Sequence, residues 1–382
     1  MDFEFTPEQK SLREEVRAFL EEERRRGSFI PKCDSWQWSI SREFSRKLGE
    51  RGYIGMTFPR EYGGGGKGFV DRLIVTEELL KYGAPVAGHW IADRQIGASL
   101  LAYGSEEQRR EFLPRIAKGE IFFCAGMSEP EAGSDLASLK TRAVDKGDHF
   151  VINGQKIWTT IAHEADYIYL IARTDPEAPK HRGLSEFIID MKTPGITIRP
   201  IYDMRGGHHF NEVFFDDVKV PKDMLVGEKN KGWYQITPQL DYERSGIERL
   251  MSNYILFDAI KGYMREKGIY RDKYLLTKLS ELLIEFEVGK LLVYRCALML
   301  DSGKVPNYES SCAKVFCTSF EQRLSNFAMD ILGLKGALQK GELIFEWASD
   351  DYLSSPNYTI QGGTSEILRN IVAMRGLGLP SK

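Results

Sequence analysis

The hydrophobic period of the chain changes twice. Near the N-terminus Leu12, Val16, Phe19 and Leu20 recur at helical spacing, the pattern of a helix with one buried face. Thr6-Pro7-Glu8-Gln9 reads as its start: Thr6 is the N-cap, Pro7 sits in the first turn and Gln9 closes a capping box. The helical pattern continues to about residue 120, broken at Gly63-Gly64-Gly65-Gly66. No Lys-Ser/Thr pair follows those glycines, so a flexible loop is expected rather than a phosphate cradle. From about 121 to 230 the signal turns to strands. Lys146-Gly147-Asp148 and Asn153-Gly154 are hairpin-type turn signals. Tyr167 to Ala172, Ile196 to Pro200 and Glu212 to Val220 read as strands, the last stopped by Pro221. Short strands at close spacing predict a small β-barrel or sandwich. After about 231 the helical period returns. Leu275, Leu279, Leu282, Phe286, Gly289, Val293, Cys296 and Leu300 step by four and three in alternation, which predicts a helix of roughly 40 Å at 1.5 Å per residue. Such a stripe serves as bundle core or as a subunit interface. The reading is α+β: an N-terminal helical domain over 1–122, a central β domain over 123–230 and a C-terminal four-helix bundle over 231–382.

Composition narrows the function. The 382 residues are 42% hydrophobic and 28% charged, which is ordinary globular composition with chain enough for two or three domains. Lys and Arg number 52 against 55 Asp and Glu, a net charge of −3; the basic excess that drives nucleic-acid binding is missing. No apolar run approaches the ~20 residues of a membrane span. The first residues, Met-Asp-Phe-Glu-Phe-Thr-Pro, are acidic where a targeting peptide is basic, so a cytoplasmic location is expected. The five cysteines include no CxxC and the six histidines no HExxH, so neither a disulfide framework nor a metal site is expected.

Four segments carry the chemistry. Gly126-Met127-Ser128-Glu129-Pro130-Glu131-Ala132-Gly133-Ser134-Asp135 closely resembles the first signature of the acyl-CoA dehydrogenases. Gly154-Gln155-Lys156-Ile157-Trp158-Thr159-Thr160 is similar to that family's flavin-facing strand. Phe214-Phe215-Asp216-Asp217-Val218-Lys219-Val220-Pro221 resembles the end of its β domain, and Gln361-Gly362-Gly363-Thr364-Ser365-Glu366-Ile367 its active-site loop. The order and spacing are the family's, and the resemblance covers essentially the whole chain.

The resemblance implies FAD as cofactor and α,β-dehydrogenation of an acyl-CoA thioester. A flavin is tuned by hydrogen bonds to its ring edge. The resemblance places Ser128 at the pyrimidine edge, Thr160 at N5 and Trp158 against the ring, with Met127, Thr364 and Glu366 as further cofactor contacts. Gly133-Ser134 is implied as the turn where the backbone meets the cofactor and the serine meets the pantetheine arm. Asp241, Arg244 and Gly363 are implied substrate contacts, Arg244 because a planar guanidinium suits the phosphates of CoA.

Two departures from the family pattern matter. The base of many members directly precedes Gly-Thr-Ser, where this chain has Gly362. Leu240-Asp241-Tyr242-Glu243-Arg244 resembles the segment of isovaleryl-CoA and long-chain dehydrogenases in which the base precedes the arginine. Glu243 is therefore expected to take the α-proton. The Gly362 N–H is left as donor to the thioester oxygen, with space for a branched, cyclic or bulky acyl group. In the second departure, Lys267 and Tyr270 stand where many members carry Arg-x-x-Phe, reaching the FAD diphosphate and adenine across a dimer interface, and Asp330 stands where a glutamine is expected. A homo- or heterotetramer passing electrons to an electron-transfer flavoprotein or similar acceptor is the expected assembly. A non-catalytic or FAD-sharing subunit of a heteromer and an acyl-CoA oxidase are the alternatives.

Overall fold

The N-terminal helix begins as its capping sequence dictates. In this computed structural model, which describes residues 4–380 and no side chain of 239–243, Thr6 caps helix Pro7–Arg25 and Gln9 completes the capping box. Val16, Phe19 and Leu20 form its buried face.

The chain forms two compact units. One gathers the residues up to Ser39, the segment Gly68–Pro85 and everything from Asp241 onward. Here helix Pro7–Arg25 lies on helix Phe69–Lys81, tied to it by charge. Arg13 pairs with the buried carboxylates of Glu77 and Glu78, and Lys81 reaches Glu77 at 2.8 Å. Burial alone would raise the Glu77 carboxyl, yet Lys81 and Arg13 hold it down at about 2. The long helix of this unit, Lys273–Asp301, starts at Asp272, whose Oδ1 accepts from the N–H groups of Tyr274 and Leu275. Its stripe from Leu279 to Leu300 is buried against helix Tyr308–Leu332, so the heptad pattern marks core. Gly289 lies within the stripe because a Cβ there would sit 2.7 Å from Leu250 Cδ1. The opposite face leaves Ile284, Leu291 and Leu298 exposed at 65%, 53% and 47%, a second apolar row that no part of this unit covers.

The other unit comprises Ile40–Lys67 and Val86–Leu240. Its strands are β1 (Phe123–Gly126), β2 (Arg142–Asp145), β3 (His149–Lys156), β4 (Tyr167–Arg173), β5 (Leu184–Asp190), β6 (Ile196–Tyr202), β7 (His208–Pro221) and β8 (Leu225–Val226). They form one sheet in the order β6-β7-β3-β2-β4-β5-β8, with β1 parallel to β4. Phe150, Ile152, Ile168, Leu170, Phe187, Val213 and Phe215 make its core. Helices, Glu106–Ala117 among them, complete the unit. Among the described residues no helix is long and apolar enough to cross a membrane.

Two turn readings need correction. Lys146-Gly147-Asp148 does join β2 to β3, but Asn153-Gly154 lies inside β3. Gly154 sits at a bulge opposite β7 with φ +149, and a Cβ there would lie 2.5 Å from Thr141 Oγ1. The glycine therefore serves a close strand approach. The Gly63–Gly66 run is not an open loop either. Its four N–H groups donate to the carbonyls of Arg60, Pro59, Gly55 and Phe58. A Cβ on Gly64 would come within 2.3 Å of Phe58 O, so the glycines permit tight packing.

A buried carboxyl in this unit gives a testable pH dependence. Glu186 on β5 is fully buried and accepts from Gln235 Nε2 at 2.8 Å. Burial pushes its carboxyl from 4.5 up to about 7, against the hydrogen bond from Gln235, which favours the charged form. The folded state thus holds this proton more tightly than the unfolded chain. Its cost is absent below the unfolded value, grows as pH rises from about 4.5 to about 7, and is complete above that. Glu186→Gln is expected to stabilise the protein above pH 7 by up to about 3 kcal/mol and to change little in acid. Chemical denaturation at the two pH extremes checks this.

Candidate active site

In the sheet-bearing unit, one cluster assembles Met127, Ser128, Trp158 and Thr160. β1 ends at Gly126 and delivers Met127 and Ser128 into a loop. β3 ends at Lys156, whose fully buried ammonium donates to Met127 O and to Glu129 Oε1, both at 2.9 Å. The Ile157 N–H donates to Ser128 O. Glu129 also accepts from the N–H groups of Lys140 and Thr141. Burial pushes the Lys156 amine down to about 8 against the pull of Glu129. Burial would raise the Glu129 carboxyl, yet Lys156 and the N–H donors hold it below its ordinary value.

Trp158 and Thr160 lie beyond the end of β3, so the expected flavin-facing strand stops short of them. Trp158 has φ +58 and Ile161 φ +54, left-handed conformations that bulky residues rarely adopt. Trp158 is 56% exposed and meets Phe210 in a T-shaped contact, ring centroids 5.7 Å apart. Thr159 is buried and its hydroxyl has no hydrogen-bond partner. Nearby backbone carries Gly133 and Ser134 on the surface. Arg173 knits this loop to the next, donating to the carbonyls of Ala137, Leu139, Lys180 and Arg182. The exposed Trp158 indole and the hydroxyl-bearing, partly buried Ser128 and Thr160 are residue types that fit a flat ring with acceptor atoms along its edge.

In the helical unit a second cluster forms around Gly362-Gly363. Both glycines are left-handed, φ +66 and +95. The buried Arg244 donates through Nε to Gly362 O at 3.1 Å, and the fully buried Lys314 donates to Gly363 O at 2.9 Å. Two cations thus hold consecutive carbonyls of one turn. Thr364 caps helix Ser365–Ile371, its hydroxyl accepting from the Ile367 N–H. Glu366 stands exposed in the first turn, where the backbone N–H and Thr364 lower its carboxyl. Helix Gly232–Arg244 carries Asp241 and Glu243 in its last turn; their side chains lie outside the described residues. Lys267 and Tyr270 are well exposed, Lys267 paired with its neighbour Glu266. Asp330 meets Lys278 at 3.4 Å.

Glu129 and Lys156 stand inside the quoted motifs with no role assigned to them, and Lys314 lies outside every motif. Their partners are far away in sequence, so no local pattern marks them.

Comparison with known proteins agrees across the chain. Family models for the acyl-CoA dehydrogenase N-terminal, middle and C-terminal domains match residues 6–120, 124–218 and 230–377. "Acyl-CoA dehydrogenase FadE29" of Mycobacterium tuberculosis is 35% identical over 100% of this chain and 99% of its own. A solved structure titled "Tcur3481-Tcur3483 steroid ACAD" superposes with a TM-score of 0.89 at 32% identity, covering 100% of both chains. The ChsE4-ChsE5 complex from Mycobacterium tuberculosis gives 0.86 at 33% identity, again over 100% of both.

Proposed function

The chain belongs to the acyl-CoA dehydrogenase family, and from that premise we propose that it oxidises a branched, cyclic or otherwise bulky acyl-CoA with Glu243 as base. It is an oxidoreductase with FAD as cofactor. Met127, Ser128, Gly133, Trp158 and Thr160 of the sheet-bearing unit would hold the flavin. When bound, FAD supplies the acceptor for the hydride leaving the β-carbon.

The Gly362-Gly363 turn carries the reading. A carboxylate residue at 362 would have to adopt φ +66, at a cost of roughly 1–2 kcal/mol. The chain has no side chain there, so the base comes from elsewhere. Arg244, which grips the Gly362 carbonyl, directly follows Glu243. The helix end that carries Glu243 is therefore anchored on this loop. A carboxylate in an apolar pocket has its pKa raised toward neutrality, as proton abstraction beside a thioester requires. The Gly362 N–H donates to the thioester oxygen as negative charge grows there. Arg244 and Lys314 fix the turn so that this donor needs no rearrangement. Asp241, Arg244 and Gly363 of the helical unit would contact the CoA thioester. The space left by Gly362 admits bulk beside the α-carbon, and the steroid neighbour points the same way. A panel of acyl-CoA thioesters with a dye acceptor tests the preference. Best turnover with butyryl-CoA would overturn it.

Electrons pass to an electron-transfer flavoprotein or similar acceptor in the cytoplasm. The exposed row Ile284, Leu291 and Leu298 supports a tetramer, homomeric or shared with a second chain. The shared form has an observation in its favour: Lys267 and Asp330 are spent on local ion pairs, and lysine lacks the bidentate fork of arginine. Lys267→Arg is expected to tighten FAD binding by roughly fivefold, about 1 kcal/mol, in a titration of apoprotein. Unchanged affinity would show that position 267 is not used by FAD in this chain.

A further inference from the structure

The segment after β3 departs from the sheet in a strained way, and one residue on the neighbouring strand holds it. Trp158 and Ile161, both left-handed, bracket Thr159. Strain of this kind costs roughly 1–3 kcal/mol per residue and persists only where surrounding contacts over-determine it. Those contacts converge on Asn211 of β7, which is fully buried. Its Nδ2 donates to Thr159 O at 3.0 Å, and its own carbonyl accepts from the Thr159 N–H at 3.0 Å. The peptide groups on both sides of Thr159 are thus gripped by one residue. The Ile161 N–H donates to His209 O two positions away.

The remaining valences of Asn211 are filled by imidazoles. Nδ2 lies 3.1 Å from His163 Nδ1, and Oδ1 lies 2.8 Å from His208 Nε2. Because Nδ2 must donate to Thr159 O, Oδ1 is the atom that faces His208. His208 therefore carries its proton on Nε2, and His163 Nδ1 is the acceptor. The two rings stack at 3.8 Å, which two neutral imidazoles tolerate and two imidazolium ions do not. Burial and the neighbouring His208 keep His163 below its ordinary value.

We propose that Asn211 is a positioning residue for the cofactor: it clamps the 158–161 segment so that the exposed Trp158 indole and the Thr160 hydroxyl are set before FAD arrives. The proposal rests on the reading of Trp158 as the flavin-facing residue. Prepaid order of this kind appears as cofactor affinity, because FAD need not freeze a mobile segment on binding.

The test uses FAD titration of the full-length apoprotein and the absorption band shape of the bound flavin, for Asn211→Leu, Asn211→Asp and Trp158→Leu. Asn211→Leu removes all the side-chain bonds. Asn211→Asp keeps shape and the acceptor toward His208 but sets a carboxylate oxygen against Thr159 O. Both Asn211 variants are expected to weaken FAD binding at least about tenfold and to blur the flavin band, with apoprotein circular dichroism retained. Asn211→Asp decides alone where Asn211→Leu does not fold. If Trp158→Leu perturbs the flavin and neither Asn211 variant does, the clamp is refuted and the flavin-facing reading stands. If Trp158→Leu leaves affinity and band shape unchanged, that reading fails and takes the clamp with it.

Discussion

Glu243→Gln is expected to slow flavin reduction by acyl-CoA by about 10²–10⁴-fold, the range for loss of a general base. FAD content should persist, because the flavin contacts proposed above lie elsewhere and glutamine is nearly isosteric. The competing carboxylates are weaker candidates for different reasons. Glu366 is exposed and its carboxyl is held low by the helix-start N–H and Thr364, the opposite of what a base needs. Asp241 is proposed to serve CoA instead. Moving the carboxylate, with Glu243→Gly and Gly362→Glu together, should restore part of the rate. Recovery stays partial because position 362 is left-handed. It should favour straight chains, since the new side chain fills space beside the α-carbon. Stopped-flow bleaching in the single variants at 241, 243 and 366 separates the three carboxylates.

Lys156→Met is expected to cost about 3–5 kcal/mol of stability, the usual price of leaving one partner of a buried ion pair alone. Glu129 would keep its two backbone donors but lose its cation, and Met127 O would lose its donor. The Met127–Ser128 loop and the segment after β3 would come apart together, so FAD affinity should fall with stability. Adding Glu129→Gln to Lys156→Met should regain a large part of the loss, because the orphaned charge is gone. Urea denaturation of the four proteins in this cycle measures the coupling. Additive costs would show that the two residues act independently.

The elements that could be read from sequence are those whose signal is local. The Thr6 capping box and the stripe from Leu275 to Leu300 each follow from residues a few positions apart; the box forms as expected, and the stripe is buried from Leu279 on, with Leu275 half-buried. Glycines were harder to read. Asn153-Gly154 has the residues of a tight turn, but positive φ serves a bulge equally well, and only the approach of Thr141 decides between them. Gly63–Gly66 looked mobile because glycine is permissive, yet here its value is the missing Cβ. In the site, the residues proposed to meet cofactor and substrate stand in contiguous motifs and were legible as candidates. Those that position them were not. Lys156 pairs with Glu129 across 27 residues, Lys314 reaches Gly363 across 49, and Asn211 grips Thr159 across 52. Such pairs exist only once the chain is folded.

Loaded with FAD, this chain is proposed to remove hydrogen from bulky acyl-CoA thioesters. Anaerobic mixing of FAD-loaded protein with a branched, a cyclic and a straight-chain acyl-CoA tests it directly, with flavin absorption followed in time. Bleaching is expected with one enoyl-CoA formed per FAD, faster for the branched and cyclic thioesters than for butyryl-CoA. Full occupancy by FAD with no bleaching by any thioester would contradict it.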